Sequence, residues 1–429
     1  MKISFFLLFV INICFPQATS LPFYGAGELI GNQDISSIGL GNGMFYSGSK
    51  YEISSSSPSS LWKTPFTRFS IHSGMNYLKV PTYSRQFQHD LTHFSVLFPI
   101  GNHKAFGFGL KPTYRTNTIE IEQDFEFLGV NESTTSLPIA YQKNFFLKGG
   151  ISDLFMQYSF KLNSKLSFGF QYSFLFGNQT TDERRSSYEV HIDSTQLNQM
   201  AIYEFWHDDE LYYLYEENSE ITYLKNSNRF SGSRMILEGK YIHDIHEFTF
   251  RTSIDGVMNI KRKDMQNTSD TIYYNYYDYK VSNNVSELAL GYHYNKFNDL
   301  GFIMETRINH PIDLPEAVSL FNILAPKERS FHFGFYKRIN NPKFSLWNNV
   351  NLRTGFYLKE LNSNGNDFVD LGFTLGLGLE YLSNSQSIDI ALRSGKRESL
   401  IVNDKYENYL SLHIGVMTGE KWFMKRRRK

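Results

Sequence analysis

Lys165–Phe176 reads KLSFGFQYSFLF. Leu166, Phe168, Phe170, Tyr172, Phe174 and Phe176 take every second place, and Ser167, Gly169, Gln171 and Ser173 stand between them. Side chains of a strand point alternately to its two faces, so this stretch makes a strand with one greasy and one mostly small or polar face. The same alternation recurs in about fourteen segments after residue 65, and nearly every second connection between them is only a few residues long. Tight turns at one rim and long loops at the other are the signature of an up-and-down transmembrane β-barrel.

The spacing predicts strands at 66–79, 90–100, 104–115, 150–162, 165–177, 229–241, 246–260, 284–295, 298–309, 329–338, 343–358, 367–381, 386–394 and 407–418. Short turns fall near Gly101, Ser164, Asp244, Lys296, Asn340 and Ser383. The longest connections are 116–149 and 178–228. An even strand count puts both chain ends on the short-turn side, the periplasm in bacterial barrels. Charges such as Arg251, Asp255, Glu287, Glu305, Arg307, Arg353 and Glu380 recur on the face opposite the apolar one. An Arg or Lys facing lipid at midplane costs roughly 2–4 kcal/mol, so the charged face is expected to line the lumen.

The expected layout is a signal peptide at 1–20, an N-terminal plug at 21–65, an all-β barrel at 66–418 and a basic periplasmic tail at 419–429. Met1-Lys2, the apolar run ISFFLLFVINICF and the small residues Ala18-Thr19-Ser20 make the secretory leader, with cleavage expected after Ser20. Cys14, the one cysteine of the sequence, lies inside that run, so a cleaved chain has no cysteine chemistry. No run approaches the 18 or so apolar residues of a helical span. The chain is 16% aromatic, as interfacial girdles require, and its zero net charge gives no sign of nucleic acid. The leader and barrel together place the chain in a bacterial outer membrane, with lipid and the barrel-assembly machinery as partners and a monomer as the expected state.

Leu21 to Pro65 does not alternate; it is rich in Gly and Ser but carries Leu29, Leu40, Met44, Phe45, Leu61 and Trp62, which a compact plug would use. The stretch from Ile35 to Trp62, with Gly39-Leu40-Gly41 and then Ser57-Pro58-Ser59-Ser60-Leu61, resembles the N-terminal plug of FadL-type outer-membrane long-chain fatty-acid transporters, or of a related Bacteroidota-like plugged barrel. Pro58 matches the proline of that family's Asn-Pro-Ala-Gly-like turn; Ser57 and Ser59 depart from its Asn and Ala. The resemblance implies a plugged fourteen-strand channel for small hydrophobic molecules, with sideways exit at a kinked third strand. Gly107, Gly109 and Pro112 of KAFGFGLKPTYR are the candidates for that lateral gap. Related barrels serve secretion systems or surface anchoring, so a non-transporting accessory stands as the alternative.

The candidate ligand contacts lie in the longest loop: Phe205, Trp206, Leu211, Tyr212, Tyr213 and Tyr215. Packing within a folded loop is the other reading of the same aromatics. The run from Tyr273 to Tyr279, YYNYYDY, reads as girdle or loop packing. No GxSxG or HExxH motif is present, and neither an enzyme, a cofactor nor a metal is expected.

Overall fold

The computed structural model describes residues 27–30, 34–49, 52–79, 86–126, 139–191, 203–207, 210–214, 220–268, 271–281, 284–296, 300–311, 326–340, 349–363, 366–381, 386–400 and 406–420. Fourteen antiparallel strands close into one barrel. They are β1 (Thr67–Lys79), β2 (Gln86–Ile100), β3 (Lys104–Glu126), β4 (Ile139–Lys161) and β5 (Leu166–His191). Next come β6 (Glu220–His243), β7 (His246–Asp255, resuming at Met258–Thr268), β8 (Thr271–Val281, resuming at Asn284–Lys296) and β9 (Leu300–Asn309). The last five are β10 (Lys327–Asn340), β11 (Asn349–Ser363), β12 (Asn366–Tyr381), β13 (Gln386–Ser399) and β14 (Tyr406–Glu420). Each strand pairs with its sequence neighbours, and β14 returns to β1 through pairs such as Tyr409 with Leu78. A closed sheet has no edge, which is how strands cross hydrocarbon without orphaned backbone groups.

The alternation in the sequence is the alternation of the wall. In β7, Phe248 and Phe250 are half exposed, while Arg251, Ser253 and Asp255 are fully buried. In β12, Leu371, Phe373 and Leu375 face outward, and Asp370, Thr374 and Glu380 inward. The charges expected to line the lumen, from Arg251 to Glu380, are all buried there.

The strands are longer than the sequence reading has them. A tilted span needs about 9–11 residues. β3 and β4 have 23 residues each, β5 has 26 and β6 has 24. Most of what reads as the loops 116–149 and 178–228 is therefore paired strand: Thr116 faces Gly149, and Gln179 faces Asn228. Together with the outer parts of β7 and β8, these strands raise a wall on the side away from the short turns. β9 to β14 have 10 to 16 residues and stop lower. Strand eleven is described from Asn349, and the expected start at 343 and the turn near Asn340 reach into 341–348, outside the described residues. β14 runs to Glu420, two residues beyond the expected end, which moves the start of any tail to 421.

Candidate functional site

Ser and Gly in the N-terminal segment let its backbone lie close to the wall, where the inward charges need partners. Ile35–Ile38 form one helical turn capped by Asp34, whose side chain accepts from Ser37 N. A 3-10 turn follows at Pro58–Lys63. Leu40, Met44, Phe45, Pro58 and Leu61 are buried, and Trp62 is partly so. Leu40 packs with Tyr46, Ile303 and Tyr336; Leu61 packs with Leu97 and Ala105.

The inward carboxylates bind the segment's backbone and hydroxyls. Glu305 accepts from Met44 N at 2.7 Å and Phe45 N at 2.6 Å. Glu238 accepts from Ser57 Oγ at 2.5 Å and Ser59 Oγ at 2.6 Å. Arg251, fully buried, donates to Ser56 O at 2.8 Å and stands 3.4 Å from Glu287 and 3.8 Å from Glu238. Lys240 donates to Ser60 Oγ at 2.6 Å, and Lys63 pairs with Glu247 at 3.2 Å. Arg307 reaches Asn42 O, and Thr374 accepts from Gly41 N at 2.8 Å. Charge-assisted bonds of this kind are about twice as strong as neutral ones, and they satisfy groups that burial would otherwise penalise.

Two glycines mark the closest approaches. Gly41 has φ +67, and a Cβ on it would stand 2.3 Å from Phe333 O. A Cβ on Gly169 of β5 would stand 2.2 Å from the Pro58 carbonyl carbon. One cavity of the lumen, between Leu29, Met44, Tyr114, Arg234 and Arg307, holds about 20 Å³. That is room for a single water.

The wall is not paired throughout. The β2–β3 ladder runs from Ile100–Lys104 to Phe94–Leu110, and no pair follows it among the described residues. Gly107 and Gly109 lie inside the paired part, opposite Leu97 and Ser95. They do not thin the ladder; their missing Cβ atoms leave room for Leu97 and Phe155. Pro112 sits at the bulge where the β3–β4 register shifts, between Pro112 and Tyr114. Beyond Leu110, β3 takes a different partner: Glu28 pairs with Arg115, Leu29 with Tyr114, and Ile30 N donates to Thr113 O at 2.9 Å. Glu28 accepts from Arg397 at 2.9 Å, and Arg397 also meets Asp370 at 3.2 Å. No local sequence signal marks this strap, because its partners lie some ninety and some three hundred and seventy residues away.

Of the expected ligand contacts, Phe205, Trp206, Leu211, Tyr212 and Tyr213 fall in a small hairpin, with Trp206 opposite Leu211 and Phe205 opposite Tyr212. The hairpin joins β5 through Tyr213 and His191. What these five side chains touch, and Tyr215 altogether, lie outside the described residues, as do the leader and the tail from 421. In the YYNYYDY run Tyr273 and Tyr276 are 57% and 70% exposed, Tyr277 stacks on Tyr279, Lys263 lies over the Tyr274 ring, and the strand pairs with Met258–Thr268. Among the described residues no group of His, Cys, Asp and Glu is arranged to hold a metal.

These features define a closed fourteen-strand barrel of the outer-membrane type with its N-terminal segment bonded inside. The chain belongs to the BamG family, whose model matches residues 1–429. Its fold is shared with a monoaromatic hydrocarbon channel, CymD, at 11% identity and TM-score 0.54 over 93% of this chain and 100% of that one. A FadL homologue of Pseudomonas aeruginosa has 6% identity and TM-score 0.51 over 94% of this chain and 100% of that one. No curated protein matches the chain in sequence. At such identities the likeness is one of fold.

Proposed function

We propose that this chain is an outer-membrane accessory barrel that assists the barrel-assembly machinery and passes no substrate through its own lumen. The observation that carries this reading is the inserted segment. Buried side chains and backbone of residues 34–64 take up inward charges of β6, β7 and β9 and the Thr374 hydroxyl of β12. A channel for apolar molecules needs an apolar path, whereas this interior is an ion-pair network. The family name points to the partner. The raised wall of β3 to β8 supplies the surface: its strand Thr271–Val281 carries exposed tyrosines. Tyr is enriched at protein interfaces. In this reading residues 1–20 are the leader, the segment to residue 65 is a permanent plug, and a basic tail lies in the periplasm.

A second reading is a hydrophobic-compound channel, and the β2–β3 ladder end at Leu110 favours it. The solved barrel CymD is described as a hydrocarbon channel. The strap at Glu28–Ile30 would then gate a lateral exit beside Pro112, and Phe205, Trp206, Leu211, Tyr212, Tyr213 and Tyr215 would receive the ligand.

Purification of the tagged full chain from outer membranes in mild detergent separates the two. The accessory reading expects the central barrel of the assembly machinery to co-purify in fixed ratio, and to be lost from a Tyr273→Ser/Tyr276→Ser variant. Recovery of the chain without that barrel rejects it.

A further inference from the structure

The outer surface of a barrel is convex, yet this wall carries a groove of about 600 Å³ on its membrane side. Its lining includes Phe168 of β5, Gly239 of β6, Phe250 of β7, Leu290 of β8, Met304 of β9 and Phe331 of β10. Gly239 opens it. Its neighbours on the outward face of β6 are Leu237 and Tyr241, both about 40% exposed, and glycine leaves a hollow between them. A groove of this size falls within the roughly 300–1,000 Å³ of small-molecule sites.

The short-turn end of the groove is polar. Tyr241 and Tyr292 line it there. His243 stacks on Tyr241, and His246 meets the Tyr292 hydroxyl at 2.7 Å. Asp244 lies 3.9 Å from His243. Lys337 stands exposed on the outward row of β10, three places beyond Gly334 and paired with Leu300 at the foot of β9. Aromatic rings and long basic side chains at this level mark the headgroup boundary of a bilayer.

We infer that the groove is a phospholipid site. One acyl chain lies along Gly239, between Phe168 and Met304, and the phosphate sits at the turn-side rim beside His243 and His246. The occupant follows from the place. The groove opens on the apolar band that faces hydrocarbon, so water has no role there, and the donors at its rim match a phosphodiester. The site rests on the barrel fold alone and stands whichever function the lumen serves.

Native mass spectrometry of the full chain, delipidated in detergent and titrated with palmitoyl-oleoyl phosphatidylglycerol or phosphatidylethanolamine, tests it. The wild-type chain is expected to hold one phospholipid after the others dissociate. Gly239→Trp fills the groove. A Cβ there meets only Phe168, at 3.6 Å, so the barrel accommodates the change. Retention should fall about tenfold, the factor that excluding two methylenes from apolar contact is worth. Leu371→Trp, on β12 away from the groove, is the control and should change nothing. No retained lipid, equal retention by Gly239→Trp, or equal loss in the control overturns the site. So does a protein partner found there in place of lipid.

Discussion

At the residue scale, the lumen is held by carboxylates that each serve several partners. Glu238 ties Ser57 and Ser59 of the inserted segment and stands beside Arg251. Removing one member leaves buried partners unsatisfied, which costs about 3–5 kcal/mol for a buried ion pair. Glu238→Ala is therefore expected to lower the temperature at which the folded, fast-migrating form is lost on a heated gel, and to expose Lys63 to trypsin. An unchanged transition would mean that the network does not hold the segment. Hydrophobic partners such as Leu61 with Leu97 and Ala105 add apolar burial.

At the scale of elements, the wall was legible in the sequence where its two faces differ. Leu166 to Phe176 reads as a strand because greasy and small residues alternate. The outer part of β5, Asn178–His191, has polar residues at nearly every position, so no contrast between faces marks it and it reads as a loop; in the outer part of β3 only Ile119, Ile121 and Phe125 alternate with acidic residues, too short a run to stand out. The apolar residues Leu40, Met44, Phe45 and Leu61 pointed to a buried segment, because a flexible linker has no use for them. The strap was not legible: Glu28 and Leu29 are two residues of strand fixed only by β3 and Arg397. Paired residues of an antiparallel ladder have Cα atoms about 4.5–5.5 Å apart, within disulfide reach. Leu29→Cys with Tyr114→Cys should therefore cross-link in outer membranes without added oxidant, seen as a mobility shift reversed by reductant. A pair that stays reduced would show that the strap does not occupy the end of the β2–β3 ladder.

At the scale of the molecule, the barrel has three unlike regions. The short-turn rim carries the girdle and the lipid groove. The inward face of the wall bonds to residues between 34 and 64. The far side rises on β3 to β8 and ends in an exposed tyrosine strand. A fold shared with hydrocarbon channels has here an interior whose charges are bonded to one another and to its own N-terminal segment, and that is the central claim. Depletion of the chain from living cells, with uptake of labelled toluene and long-chain fatty acid measured beside the amounts of other folded outer-membrane barrels, tests it most directly. The account expects the other barrels to fall while uptake, corrected for their loss, stays level. Uptake that falls while the other barrels hold their amounts would contradict it.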